Sequence, residues 1–134
     1  MNEATLDKMK RMHLFGMQRA FSSSLETPSA EPMTADELIA ALVDSEWDDR
    51  HNRAIERSLR NARFRYKASV EEIDYSAARS LDKNMVHRLA EGDFIRKKED
   101  LLITGATGTG KSFLASAIGH QACYLGFKVL YANA

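Results

Sequence analysis

The 134-residue chain has one cysteine, two prolines, one tryptophan and no long apolar run. A lone thiol, Cys123, cannot form an internal disulfide or a cysteine-rich metal site, which fits a reducing cytosol and a small buried apolar role. Two prolines and seven glycines exclude a collagenous or proline-rich chain, and 44% hydrophobic residues is too many for wholesale disorder. The longest apolar run, Leu38 to Val43, is far short of the roughly 20 residues that span a bilayer. No apolar stretch follows Lys8, Lys10 and Arg11 to make a secretory leader. The expectation is a cytoplasmic protein with no membrane segment.

Net charge is absent too, because 19 basic side chains balance 19 acidic ones. The balance hides a sharp asymmetry. Glu26 to Asp49 holds eight acidic residues and no Lys or Arg, whereas Arg50 to Lys67 holds seven basic residues against Glu56. Blocks of opposite sign read as separate faces or separate partners.

Periodicity predicts the elements. Leu6, Met9, His13, Met17 and Ala20 follow helical spacing, with Phe21 beside them, and predict one helix over residues 3–22 that Gly16 weakens locally. Ser22 to Pro32 has the composition of a loop. Thr34-Ala35-Asp36-Glu37 is a capping box and predicts the start of a long helix. Leu38, Leu42 and Val43 begin its apolar face, and Ile55, Leu59, Ala62 and Tyr66 continue one. Trp47 is expected to pack on a helix face. Arg50, Arg53, Arg57 and Arg60 form a separate stripe. A shorter helix is predicted from about Asp82 to Glu91, closed by Gly92, followed by a charged turn over Arg96 to Asp100. Leu101 to Thr104 is predicted as a short buried strand, residues 110–124 as a helix stopped by Gly126, and Lys128 to Tyr131 as a second strand.

One segment carries chemistry. Gly105-Ala106-Thr107-Gly108-Thr109-Gly110-Lys111-Ser112 matches the phosphate-binding pattern G-x-x-x-x-G-K-[ST], the Walker A motif, in full. Glycines permit positive φ and close backbone approach, so that successive N–H groups converge on phosphate oxygens. A helix starting near Gly110 adds its N-terminal partial positive charge. Lys111 then serves as a mobile cation for the β- and γ-phosphates, and the Ser112 hydroxyl as a Mg²⁺ ligand. Thr107 and Thr109 shape the loop. A match between an apolar strand and an apolar-faced helix has the context that the mechanism needs.

Hydrolysis needs a second strand ending in an acidic residue, normally downstream of the loop. The run Ile39 to Asp44 has that appearance, but it lies upstream and its Ala-Ala-Leu composition belongs to the capped helix. No general base, water-positioning residue or arginine finger is identified. The four histidines lack paired metal-ligand spacing.

Gly105 to Ser112, followed by Phe113 to Gly119 and then Gly126 to Tyr131, resembles the core of IstB-like ATP-binding proteins. These are transposition helper ATPases of insertion sequences, related to DnaC helicase loaders within the AAA+ class. Leu14 to Met17, Asp36-Glu37-Leu38 leading to Glu46, the arginine-rich helix, Ala62-Arg63-Phe64 and Val70 to Tyr75 agree with it, so the resemblance covers nearly the whole chain. It departs from the family at Gly105-Ala106 and at Ser112, where Thr is usual; both are chemically tolerable.

The resemblance implies an α/β fold with a P-loop NTPase core of AAA+ type, incomplete here and preceded by a helical domain. Residues 1–67 are expected to form the N-terminal helical domain, and residues 68–134 the first part of the ATPase domain. It further implies ATP and Mg²⁺ as ligands at Gly105 to Ser112, duplex DNA and a transposase as partners, and a homo-oligomer for the full-length form. The family's acidic metal-binding strand, sensor and arginine finger are expected beyond Ala134, so no hydrolytic residue carries over. Arg50, Arg53, Arg57 and Arg60 are the DNA-contact candidates. The pairs Glu46–Arg50, Asp49–Arg53 and Glu56–Arg60 also fit a salt-bridged solvated helix. A DnaC-like helicase loader, a non-hydrolysing nucleotide- and DNA-binding fragment and a small-molecule P-loop kinase are the alternative readings. The long segment before the loop argues against the kinase.

Overall fold

The computed structural model describes residues 1–27, 31–76, 81–106 and 108–132. Thr107 of the phosphate-binding motif and part of the predicted loop, Pro28 to Ala30, lie outside them. The elements in order are α1 (Asn2–Arg11), α2 (Phe15–Glu26), α3 (Ala35–Ala62), a 3₁₀ turn (Val70–Glu72), α4 (Lys83–Ala90), α5 (Asp93–Arg96) and α6 (Lys111–Tyr124). Two compact units divide the chain, Met1–Ala54 and Ile55–Ala134, so the boundary falls inside α3. No described helix is long and apolar enough to cross a membrane.

In the first unit the single helix predicted over residues 3–22 is two helices. His13 adopts φ 60°, and the Leu14 N–H reaches back to the Met9 carbonyl at 2.8 Å. That six-to-one bond is the Schellman closure of a helix end, here with His where glycine is usual. Helix α2 then continues through Ser22, Ser23 and Ser24, which composition alone assigned to a loop. The Ser24 hydroxyl donates to the Phe21 carbonyl at 2.7 Å, so this serine bonds within the helix.

Gly16 is the pivot of the unit. Its backbone approaches α3 so closely that a Cβ would stand 2.8 Å from the Cα of Glu46. Glu46, buried although charged, accepts the N–H groups of Gly16 at 2.9 Å and Met17 at 3.2 Å. These donors belong to the first turn of α2 and have no acceptor within that helix, so a carboxylate from α3 caps it. Arg50 and Arg53 neutralise the same carboxylate, with N–O distances of 2.7 and 3.8 Å.

The capping box performs as predicted at its first residue: Thr34 Oγ1 accepts the Glu37 N–H at 3.2 Å and α3 runs 28 residues. Trp47 does not pack on its helix face; it is 73% exposed. At about 100° per residue, it lies roughly 140° around α3 from Leu42 and away from the side that meets Gly16. Ile39 to Asp44 is helical, as its composition required.

The second unit has a small core of Ala68, Ile73, Val86 and Ala117, with Val70, Tyr75, Leu81, Phe113 and Leu114 packed around it. Helix α4 starts at Asp82, whose carboxylate accepts the Asn84 N–H at 2.9 Å, and ends before Gly92 at φ 78°. Both ends agree with the predicted helix. The charged turn follows the short α5, which ends at Arg96, and closes at Lys98, φ 59°, with the Glu99 N–H on the Phe94 carbonyl at 2.9 Å.

The two predicted strands are not formed as strands. Among the described residues none is assigned to a β-ladder; 101–106 and 127–132 are irregular segments. Burial still alternates along them, with Leu102 and Leu130 88% and 70% exposed between half-buried neighbours. Alternation is a property of the sequence, whereas a strand exists only through hydrogen bonds to a partner strand. One backbone bond does cross the unit from these segments: the Tyr131 N–H donates to the carbonyl of Ala62, at the end of α3, at 2.7 Å.

Candidate nucleotide and nucleic-acid sites

The glycine-rich motif forms the turn that opens α6. Gly108 and Gly110 hold φ 82° and 89°, left-handed values that bulkier residues avoid. Gly110 is the N-cap, and the first helical bond runs from the Leu114 N–H to its carbonyl at 3.0 Å. The N–H groups of Lys111, Ser112 and Phe113 therefore have no acceptor within the helix, and all three belong to the end that carries its partial positive charge. Thr109 braces the loop, its hydroxyl donating to the Ala106 carbonyl at 2.7 Å.

Lys111 folds back so that its ammonium donates to the carbonyl of Gly105, which places the cation over the loop rather than out in solvent. A cavity of about 250 Å³ lies against this arrangement, walled by Gly105, Thr109, Gly110 and Lys111 on one side and by Ile73, Leu81 and Phe113 on the other. Ser112 is exposed. The motif residues thus combine free helix-end donors, one mobile cation and a hydroxyl beside an apolar wall. Phosphate oxygens match the donors and the cation, and a flat heterocycle matches the apolar wall. Ile73 and Leu81 on that wall lay outside the motif, and only their fold neighbourhood reveals them.

The second chemistry concerns arginine. Arg50 and Arg53 are engaged within the first unit: Arg50 with Glu46, Arg53 with Asp49 at 2.8 Å and stacked over the Phe15 ring at 5.3 Å. Arg19 of α2 joins Arg53 on Asp49. Burial pushes the Glu46 carboxyl up, but Arg50 and the N–H groups of Met17 and Gly16 outweigh it and hold the group below its ordinary range. Asp49 is held low by its bond from Arg19, with Arg53 assisting against burial. Arg57 and Arg60 are exposed, and among the described residues neither has an ion pair.

Arg60 lies on a groove of about 720 Å³ within the second unit, together with Arg63, Arg65 and Lys67. Glu72 is the acidic residue in its lining. The groove floor includes Phe64, stacked on His120 with ring centroids 3.9 Å apart. Gly119 makes that stack possible, since a Cβ there would stand 2.7 Å from the Phe64 ring. Arg63, Arg65 and Lys67 were visible in the sequence only as part of a basic block; their shared groove comes from the turn after Ala62, where Arg63 holds φ 58°.

The pattern of the IstB-like ATP binding protein family matches residues 7–134. The chain belongs to that family. It is 37% identical over 132 residues to an insertion-sequence IS1162 protein of Pseudomonas fluorescens named for ATP binding, covering 98% of this chain and 57% of the relative. A similarly named insertion-sequence protein of Sinorhizobium fredii is 39% identical over 127 residues, 95% of this chain and 52% of its own length. An IS5376 protein of Geobacillus stearothermophilus, again named for ATP binding, is 28% identical over 134 residues, or 100% of this chain and 53% of that protein. The chain spans about half the length of these curated relatives.

Proposed function

We propose that this IstB-like chain is an ATP-binding helper of DNA transposition, with Gly105 to Ser112 as its triphosphate site. The observation that carries the reading is the joint geometry of Gly110 and Lys111: a left-handed glycine caps α6, and the adjacent ammonium folds over the loop it must serve. The N–H groups of Lys111, Ser112 and Phe113 are the donors for phosphate oxygens, and Lys111 exchanges its bond to the Gly105 carbonyl for the β- and γ-phosphates. Ser112 supplies the hydroxyl for Mg²⁺, which offsets phosphate charge when bound. In this reading these residues bind the nucleotide and Mg²⁺.

Residues 1–67 act in this reading as the helical domain, and residues 68–134 as the opening part of an AAA+ core. That core is α/β in type, with 101–104 and 128–131 as sheet segments once partner strands flank them. Family membership and alternating burial support this. Duplex DNA is the second ligand. Arg57, Arg60, Arg63, Arg65 and Lys67 are the candidate phosphate contacts, ahead of Arg50 and Arg53, whose charges are met by Glu46 and Asp49. ATP binding then promotes self-assembly on DNA and cooperation with a transposase. The relatives' insertion-sequence names support transposition over replicative helicase loading.

Titration of the chain with a fluorescent ATP analogue tests the nucleotide site. Wild type is expected to bind and Lys111→Ala to lose most of the affinity. Equal affinity in the two proteins overturns the assignment.

A further inference from the structure

The groove beside Arg60 carries more than positive charge. Tyr66 stands between Arg65 and Lys67 in the chain and Tyr124 ends α6; both line the groove, and they are 40% and 52% exposed. The floor beneath them is stiff. The Phe64 and His120 rings stack with centroids 3.9 Å apart and 21° between their planes, and His120 Nδ1 is fixed on the Ser116 carbonyl at 2.8 Å. Four cations, Arg60, Arg63, Arg65 and Lys67, share the lining, and among the described residues none of them has an ion pair. All of these residues belong to the second unit.

Charge by itself suits any row of phosphates, and these cations serve a duplex or a single strand equally well. The tyrosine rings are more selective. In a duplex each base face is covered by its neighbours in the stack, so a protein meets only base edges, sugars and phosphates. An unpaired base has a free π-face, which stacks on an aromatic side chain whatever the sequence. At about 720 Å³ the groove has room for roughly one or two nucleotides. We propose that this groove binds unpaired DNA, with bases stacked on Tyr66 and Tyr124 and backbone phosphates on Arg60, Arg63, Arg65 and Lys67. The inference rests on the reading of these cations as DNA contacts, and it adds the state of the DNA that the groove favours. It does not depend on the nucleotide site.

Fluorescence anisotropy of the full chain, without nucleotide, tests it on an oligothymidylate of about 12 residues, an abasic strand of the same length and a duplex. Wild type is expected to bind the thymidylate roughly tenfold more tightly than the abasic strand, which keeps the phosphates and lacks the bases. Tyr66→Ala with Tyr124→Ala is expected to lose that advantage while holding the duplex as wild type does. Tyr66→Phe with Tyr124→Phe keeps both rings and is expected to bind thymidylate as wild type does, so the test survives if the alanine pair misfolds. Arg65→Ala with Lys67→Ala is expected to weaken binding to all three. Equal wild-type affinity for thymidylate and abasic strand, an alanine pair that keeps the advantage, or a phenylalanine pair that loses it overturns the proposal and leaves duplex binding standing. A duplex that does not bind, or that is indifferent to Arg65→Ala with Lys67→Ala, removes the underlying DNA reading and the proposal with it.

Discussion

Gly16 and Glu46 meet across two helices: the Gly16 N–H donates to Glu46 Oε1 at 2.9 Å, and the absence of a side chain on Gly16 allows the approach. A Cβ at position 16 would press on the backbone of α3, which cannot yield as a flexible side chain can. Gly16→Ala is therefore expected to destabilise the first unit by about 1–3 kcal/mol despite alanine's better helix propensity. Urea unfolding checks this; a variant as stable as wild type would show that the helices can move apart freely.

Glu46 and Asp49 make stability depend on acid. Both carboxyls titrate below their usual range in the folded chain, Glu46 because its donors and Arg50 outweigh burial, Asp49 through Arg19 and Arg53. A carboxyl with a lowered folded pKa stabilises the fold above its unfolded value, about pH 4, and that contribution disappears as pH falls through the folded value. Wild type is expected to lose stability more steeply below about pH 4 than the double variant Glu46→Gln with Asp49→Asn. Unfolding midpoints measured from pH 2.5 to 6 decide it, and parallel curves count against the linkage.

The proposed phosphate site gives Ser112 and Lys111 separable roles. Ser112→Ala is expected to retain magnesium-free nucleotide binding and to lose the gain that Mg²⁺ gives, whereas Lys111→Ala weakens binding in either condition. Calorimetric titration with and without Mg²⁺ separates the two, and a Ser112→Ala protein with a full Mg²⁺ response removes the hydroxyl from the metal's ligands.

For DNA, exposed and engaged arginines should behave differently. Arg57→Ala with Arg60→Ala is expected to weaken duplex binding and to lower the salt slope by about 2, near one unit for each phosphate left without its arginine. Arg50→Ala should chiefly cost stability, because it leaves the buried Glu46 carboxylate less compensated. Anisotropy titrations at several salt concentrations give the slopes. An unchanged slope in the Arg57 and Arg60 double variant excludes those residues as phosphate ligands.

Cys123 is fully buried, and burial raises its thiol pKa. A thiol reagent at pH 8 is expected to modify it only as fast as the chain unfolds, so that labelling accelerates sharply in urea. Rapid labelling of the native chain would mean that α6 opens locally.

Helix ends show where local chemistry suffices to read the fold and where it does not. Among the described residues three helices close with the same six-to-one backbone bond, at Leu14 to Met9, Glu99 to Phe94 and Phe127 to Ala122. Only the last has glycine at the left-handed position, Gly126, and only that stop was legible. His13 and Lys98 adopt the same conformation at a cost of about 1 kcal/mol each, which the surrounding packing must offset, so nothing in their residue type announces it.

The sequence by itself determined the glycine turn that opens α6, the start of α3 at Thr34, the limits of α4 and α6 and the two charge blocks, because each rests on interactions within a turn or two of chain. Only the tertiary structure decided the rest. It turned Gly16 from a helix weakener into a contact with α3, drew Arg50 and Arg53 to the buried Glu46 and half-buried Asp49 carboxylates while leaving Arg57 and Arg60 exposed, and set Trp47 outward. It also left 101–104 and 128–131 without ladders, since a strand is a relationship between two segments and no single segment's composition can supply its partner.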